Sequence, residues 1–300
     1  MNNQALKEAI LKLKKEKNAL ILAHNYQRPE IYDVADLIGD SLDLSRKASQ
    51  TDAEIIVFCG VHFMAESAKL LSPQKKVLLP SLQAGCFMAE MVTLEKLKAK
   101  KKEYPNAKVV CYVNSSAEIK AESDICCTSA NAIQIVNSLD AEEIIFIPDQ
   151  HLGEYVQRFT DKKIITWPGY CVVHHILTAE KVRQAQAKHP EAVLIVHPES
   201  QMEVIDLADF VASTNGMLEV VRKSDAREFL IATEEGILER LRREFPDRQF
   251  FALMGVCVNM KRITLQNTYE ALRDEKYVIE IEEEVAEKAR RTLERMLLVK

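Results

Sequence analysis

Short apolar runs recur along the chain at similar intervals: ALILA (19–23), EIIVFC (54–59), KVLLP (76–80), KVVCYV (108–113), EIIFIP (143–148), KIITW (163–167), AVLIVH (192–197), EFLIA (228–232) and QFFAL (249–253). Runs this short and this continuously apolar predict strands covered on both faces, as in a parallel sheet. Between them lie EIYDVADLIGD, FMAESAKLL, TLEKLKAKKKEY, ANAIQIVNSL, AEKVRQAQAKH and ILERLRREF. Their apolar positions fall at i, i+3 and i+4, the period of a helix with one buried face. Strand and helix patterns alternate, which predicts an α/β protein built on parallel sheets.

A longer period underlies the short one. ALILAHN (19–25), KVVCYVN (108–114) and AVLIVHP (192–198) each follow a helical pattern and reach a polar residue, His24, Asn114 or His197. Further on, each stretch carries a hydroxyl near a helix start: Ser41, Ser129, or Thr214 with Ser213. Each then ends just before a cysteine, Cys86, Cys171 or Cys257, and these are spaced 85 and 86 residues apart. Landmarks kept in register predict an internal triplication into α/β units 1–88, 89–174 and 175–263, with helices in 264–300 packed back on the first unit. Such a period is too long for a solenoid, whose repeats run to about 50 residues. Three units meeting around a pseudo-threefold axis are expected instead. Their C-terminal strand ends would face inward, where open α/β sheets bind ligands.

Composition narrows the partners. Forty Lys and Arg against 45 Asp and Glu give a net charge of −5 without a basic face, so neither nucleic acid nor an anionic membrane is an expected partner. No apolar run approaches the ~18–20 residues of a spanning helix. The first residues, MNNQALKEAILKLKKEKN, lack the apolar core of a secretory signal, so a cytoplasmic protein is expected. Seven cysteines with no C-x-x-C argue against a disulfide framework, a zinc ribbon or a thioredoxin-type site. G-x-G-x-x-G, the P-loop pattern and H-E-x-x-H are absent as well.

Candidate chemistry therefore rests on the repeat. Cys86, Cys171 and Cys257 occupy equivalent loops, and three thiolates converging there suit a soft metal site. Zinc with a fourth ligand and a [4Fe–4S] cluster with one iron lacking a thiolate both fit. Cys59, Cys111, Cys126 and Cys127 sit in strand runs and read as core. His24 and Tyr26, Tyr112 and Asn114, and His197 and Glu199 share an i, i+2 spacing, which puts each pair on one face of an extended segment. Together they suit proton transfer and the binding of carbonyl or carboxylate oxygens. Ser41, Ser129 and Thr214 read as helix caps, and a helix N-terminus is also an anion site. His174 and His62 are weaker candidates; His151, His175 and His189 read as surface residues.

The ordered motifs carry a resemblance. LAHNYQ-PE (22–30), IGDSL (38–42), GVHFMAE (60–66), YVNSSAE (112–118), TSANA (128–132), PD--LG-YV (148–156), C-VH (171–174), HPE (197–199), ASTNGM (212–217) and CVNMK (257–261) together resemble the quinolinate synthase A family of NAD biosynthesis. The resemblance implies three pseudo-symmetric α/β domains around one [4Fe–4S] cluster held by Cys86, Cys171 and Cys257, with one iron open as a Lewis acid. It implies condensation of iminoaspartate with dihydroxyacetone phosphate to quinolinate, with loss of phosphate and two waters. It allows handover of iminoaspartate from an aspartate-oxidising enzyme. Catalytic roles fall on Tyr26, Glu199 and His197. Substrate contacts fall on His24, Asp40, Ser41, Met64 and the strand end Tyr112, Val113 and Asn114. Ser129, His174, the segment His197, Pro198 and Glu199, and Ser213 with Thr214 complete that set. The chain departs from the family pattern at Ser200, often cysteine there, at Asn215 in S-T-N-G-M, and at Val172 in C-V-V-H. Two other readings are a different three-cysteine iron–sulfur dehydratase or reductive dehydroxylase, and a non-enzymatic metal-binding module. Neither gives a reason for the ordered His, Tyr, Asn and Glu motifs.

Overall fold

The strands form three separate sheets in a computed structural model that describes residues 1–299. The first sheet holds β1 (Ala19–His24), β2 (Leu37–Gly39), β3 (Ile55–Cys59) and β4 (Lys76–Leu78). The second holds β5 (Lys108–Tyr112), β6 (Ile125–Cys127), β7 (Glu143–Ile147) and β8 (Lys163–Thr166). The third holds β9 (Val193–Val196), β10 (Phe210–Val211), β11 (Glu228–Ala232) and β12 (Gln249–Ala252). Every sheet has its second strand outermost, then its first, third and fourth, with all pairs parallel. The strand order thus reverses between the first and third strands of each unit, and side chains at that switch point have a crevice to fill.

One sequence pattern misled. EIYDVADLIGD is not one helix: a single turn at Pro29–Tyr32 gives way to β2. Asp36 breaks the helix by bonding sideways to β1, its carboxylate accepting from Ile21 N at 2.8 Å while its own N–H donates to Ile21 O at 2.8 Å. Asp124 makes the same two bonds to Val109, and Asp209 to Leu194. This aspartate, just before the short second strand, is a further landmark of the triplication.

The C-terminal segment also departs from expectation in part. Helix Leu265–Asp274 does pack on the first unit, against helix Asn3–Glu16 and β3. Helix Glu283–Leu298 instead lies between the first and second units, against helix His62–Leu71, helix Ala117–Ala121 and β6. Its apolar stripe decides this: Ala289, Leu293 and Met296 are fully buried, and Thr292 Oγ1 sits 3.2 Å from Cys126 Sγ. Arg290 reaches Leu70 O at 2.7 Å on one side, and Arg295 reaches Asp124 O at 2.9 Å on the other. Between the two helices the chain covers the edge of β4, with Leu79 N donating to Tyr277 O and Ile279 N to Val77 O. Among the described residues, no helix is long and apolar enough to cross a membrane.

Candidate active site

The C-terminal ends of β1, β5 and β9 converge on a cavity of about 90 Å³. His24 ends β1, Tyr112 ends β5, and His197 follows β9 directly, so the three sheets deliver equivalent positions to one space. Tyr26, Asn114 and Glu199, each two residues further on, line the same cavity.

The two strand-end histidines are held alike. Tyr26 N donates to His24 Nδ1 at 3.2 Å, and Glu199 N donates to His197 Nδ1 at 3.4 Å. An Nδ1 that accepts leaves the proton on Nε2, so both rings carry a donor on their far nitrogen. Burial lowers both pKa values to about 3, and each imidazole is therefore neutral near pH 7.

Glu199 is the hub. Burial pushes its carboxyl up, but His174 and His197 beside it, with the Tyr112 hydroxyl, outweigh that and hold it below the usual carboxylate range. Tyr112 Oη donates to its Oε1 at 2.5 Å. His174 Nδ1 lies 2.7 Å from its Oε2, without the alignment of a hydrogen bond, and the His174 ring stacks on His197 at 4.7 Å. His174 Nε2 meets Thr233 Oγ1 at 2.8 Å, and Thr233 Oγ1 meets Tyr26 Oη at 2.5 Å. Tyr26, Thr233, His174, Glu199 and Tyr112 thus form one connected chain of polar groups drawn from all three units. Burial first, and the charge of Glu199 second, raise the Tyr26 and Tyr112 hydroxyls well above the ordinary phenol value. A carboxylate and two protonated phenols therefore share the cavity, one kind able to take a proton and the other to give one.

Cys86, Cys171 and Cys257 line the same cavity, half-buried, whereas Cys59, Cys111, Cys126 and Cys127 are fully buried in strands. Each of the three begins a single helical turn: Cys86 O accepts from Glu90 N, Cys171 O from His175 N, and Cys257 O from Lys261 N. Burial pushes all three thiols up, Cys86 to about 12, against the pull of backbone N–H groups on their sulfurs. Such thiols stay protonated unless a cation compensates the thiolate. Cys171, His174 and Glu199 form a group that could hold a metal, with one donor atom from each within 4.8 Å of the others. The three cysteines do not converge that tightly among the described residues.

The hydroxyls are placed by helices they do not cap. Asp40, not Ser41, caps helix Ser41–Gln50, accepting from Leu42 N and Asp43 N. Ser213 caps helix Thr214–Lys223 by accepting from Gly216 N, and helix Ala132–Ser138 begins three residues beyond Ser129. Ser41, Ser129 and Thr214 consequently keep their hydroxyls at the cavity wall, with Asp40, Phe63 and Met64 beside them. Val113, Pro198 and Ser213 do not line the cavity: Val113 alternates to the other face, beside Phe58 and Phe63, and Ser213 is spent on its cap. His62 lies outside it, near Glu66. His151, expected at the surface, is buried, because its helix starts beneath Tyr170 and its ring packs on His175 with Nε2 2.8 Å from Nδ1. His189 is half-buried and stacks on Phe251.

Several residues here were not singled out from sequence: Thr233, Glu234, Asn25, Arg240 and Lys261. Glu234 accepts from Cys257 N at 2.9 Å and from Gly236 N at 2.7 Å, and Lys261 Nζ sits 3.0 Å from its Oε1. Lys261 also donates to Tyr26 O at 2.5 Å. A Cβ on Gly236 would lie 2.5 Å from Lys261 Nζ and 2.9 Å from the Tyr26 backbone, so glycine is required there. Applying the strand-end rule to β11 as well as β9 would have found Thr233 and Glu234.

Residues 8–298 match the family model described as quinolinate synthetase A protein. The chain is 52% identical to the quinolinate synthase of Alkaliphilus metalliredigens, with 100% of both chains covered. It is 54% identical to that of Methanoregula boonei over 97% of each chain, and 49% identical to that of Caldicellulosiruptor bescii over 99% of each.

Proposed function

The chain belongs to the quinolinate synthase A family, and from that premise we propose that its cavity condenses iminoaspartate with dihydroxyacetone phosphate and dehydrates the adduct to quinolinate, releasing phosphate and two waters. The observation that carries the reading is the run of polar groups from Tyr26 to Tyr112 through Thr233, His174 and Glu199, hydrogen-bonded except where His174 Nδ1 stands 2.7 Å from Glu199 Oε2. Ring closure and dehydration need protons moved between neighbouring carbons, nitrogen and departing oxygens, and such a chain lets one site both take and give them. Glu199 is the base. Tyr26 and Tyr112 are the acids. His24 and His197, neutral and each with a free Nε2–H, donate to carbonyl or carboxylate oxygens without carrying charge. Ser41, Asn114, Ser129 and Thr214 hold the substrate carboxylates, and the apolar side chains of Phe63 and Met64 exclude water beside them.

Cys86, Cys171 and Cys257 would hold a [4Fe–4S] cluster, one thiolate from each unit. When bound, such a cluster supplies a Lewis-acidic iron without a protein thiolate. The seven cysteines, none of them in a disulfide, fit a reducing cytosol. Iminoaspartate hydrolyses readily in water, which favours direct handover from an aspartate-oxidising enzyme. An anaerobic assay tests the reading: protein with iminoaspartate and dihydroxyacetone phosphate should yield quinolinate, and Glu199→Gln should lower the rate at least ~10²-fold, the usual weight of a general base. A fully active Glu199→Gln protein would remove Glu199 as the base.

A further inference from the structure

The polar network behind Thr214 has a direction. Thr214 Oγ1 faces the cavity and accepts from Asn25 Nδ2 at 2.8 Å. Asn25 Oδ1 in turn accepts from Arg240 Nη1 at 2.6 Å. Asn215 accepts at its Oδ1 from Asn25 Nδ2 and Arg240 Nη1, both at 3.0 Å, and its Nδ2 donates to Asp43. A guanidinium can only donate and a carboxylate can only accept. With Arg240 at one end and Asp43 at the other, each amide has a single orientation that satisfies every group. Asn25 must therefore turn its NH₂ to Thr214, and Thr214 Oγ1 must accept. Its own proton has no partner in this network, and the cavity is where an acceptor can be met. Asn25 cannot shift to evade this, because it is fully buried, its N–H bonds Gly39 O, and its carbonyl accepts from Tyr32 Oη.

We infer that Arg240 is a positioning residue: acting through Asn25, it fixes the Thr214 hydroxyl as a donor into the cavity and so makes that wall a site for an anionic oxygen. The oxygen belongs to a carboxylate or to a phosphate, both of which the proposed substrates carry. Arg240 touches no substrate in this scheme. Without it, only Asn215 Oδ1 opposes turnover of the Asn25 amide; where the amide turns, Thr214 donates to Asn25 Oδ1, and the wall offers lone pairs to an anion. The assignment deepens the quinolinate reading and rests on it.

The test is calorimetric, on anaerobically purified protein, with quinolinate and inorganic phosphate as separate probes. Arg240→Lys, still only a donor, should bind within about threefold of wild type, whereas Arg240→Gln, which can turn over, should lose about tenfold, or 1.4 kcal/mol. Thr214→Val should lose a similar factor, and the Arg240→Gln/Thr214→Val double variant should lose little more, because both changes remove one donor. Asn25→Asp gives a sharper contrast and does not depend on the Arg240 variants folding. It keeps shape and pairs better with Arg240, yet its second oxygen draws the Thr214 proton away from the cavity, so binding should fall. A purely structural Arg240 predicts additive losses and an Asn25→Asp protein that binds normally; either result overturns the assignment. A loss confined to quinolinate assigns the oxygen to a carboxylate, and one confined to phosphate assigns it to the triose phosphate. Wild-type protein that bound neither probe and made no quinolinate would instead overturn the functional reading, and this assignment with it.

Discussion

The first unit meets its two neighbours in different ways. Toward the second unit the contact is a hydrophobic core: helix Glu283–Leu298 is embedded in it, and one continuous set of buried residues runs through both sheets. Toward the third unit the same buried set continues, through Ile195, Phe229 and Ile231, and polar pairs accompany it. Lys261 and Glu234 form a buried ion pair that also holds Tyr26 O, and Arg28 Nε donates to Lys261 O at 2.9 Å. Arg240, Asn25, Asn215 and Asp43 form a second set, and Arg243 pairs with Asp33 at 2.9 Å. An apolar seam loses free energy in proportion to the area it exposes, whereas polar contacts near the surface, such as Arg243 with Asp33, exchange for water at small net cost; the buried Lys261–Glu234 pair does not, because separating it strands a charge. The two seams therefore differ in what is added to the shared core: a long helix on one side, and on the other polar contacts that set side chains against the cavity.

Substitutions can break or sharpen this contrast. The largest effect should come where the seams are irrelevant, because all three units contribute equally. Ala at Cys86, Cys171 or Cys257 should each abolish iron binding, read as iron per chain, while Ala at Cys59 or Cys127 keeps it. Iron retained by Cys171→Ala and lost by Cys127→Ala would end the threefold assignment. Next, Leu293→Ala should cost about 2–5 kcal/mol in urea unfolding, the usual range for a cavity in a closed core. Tyr26→Phe should keep fold and iron but lower turnover by ~10²-fold.

Acid should act on the strand-end histidines. The unfolded chain takes up protons near the ordinary His value of 6.5, whereas folded His24 and His197 resist until about 3. Their contribution to stability is thus whole above pH 6.5 and is lost as pH falls from there toward 3, by up to about 1.4 kcal/mol per pH unit for each. Melting temperature followed from pH 7.5 to 5 should fall in that window, and a flat profile would mean that the rings are already charged. The smallest effect belongs to the polar seam: Asn215→Ala should cost about 1 kcal/mol. Hydrogen exchange in that variant should quicken at residues 24–28 and 234–240 but not at 289–296. Equal losses from Leu293→Ala and Asn215→Ala would erase the distinction between the seams.

Much of the fold was legible because burial on both faces leaves a continuous apolar run, and all nine such runs became strands. The three edge strands next to β1, β5 and β9 are two or three residues long, too short to make a pattern of their own. Only the one that holds Cys126 and Cys127 was read as a strand, and the aspartates that fix all three went unread. At the site, the strand-end pairs were legible because their partners lie two residues apart. Thr233 was not, because its meaning depends on Tyr26, 207 residues away, and Asn25 depends on Thr214, 189 residues away. The hydroxyl repeat was read in register but with the wrong emphasis: Asp40 and Ser213 do the capping, which leaves Ser41 and Thr214 free.

The strip at 277–279 that lies along β4 has a consequence for how the chain is made. The first unit leaves the ribosome before the other two, yet its outer edge is covered by residues translated after both, and Lys17 reaches across to Arg273 O and Glu275 from the same later segment. Synthesis runs at about 5–20 residues per second. During the seconds needed for the second and third units to emerge, β4 carries an open row of backbone N–H and C=O groups. That interval is when a nascent chain of this protein is most exposed to pairing with a neighbour on the same message.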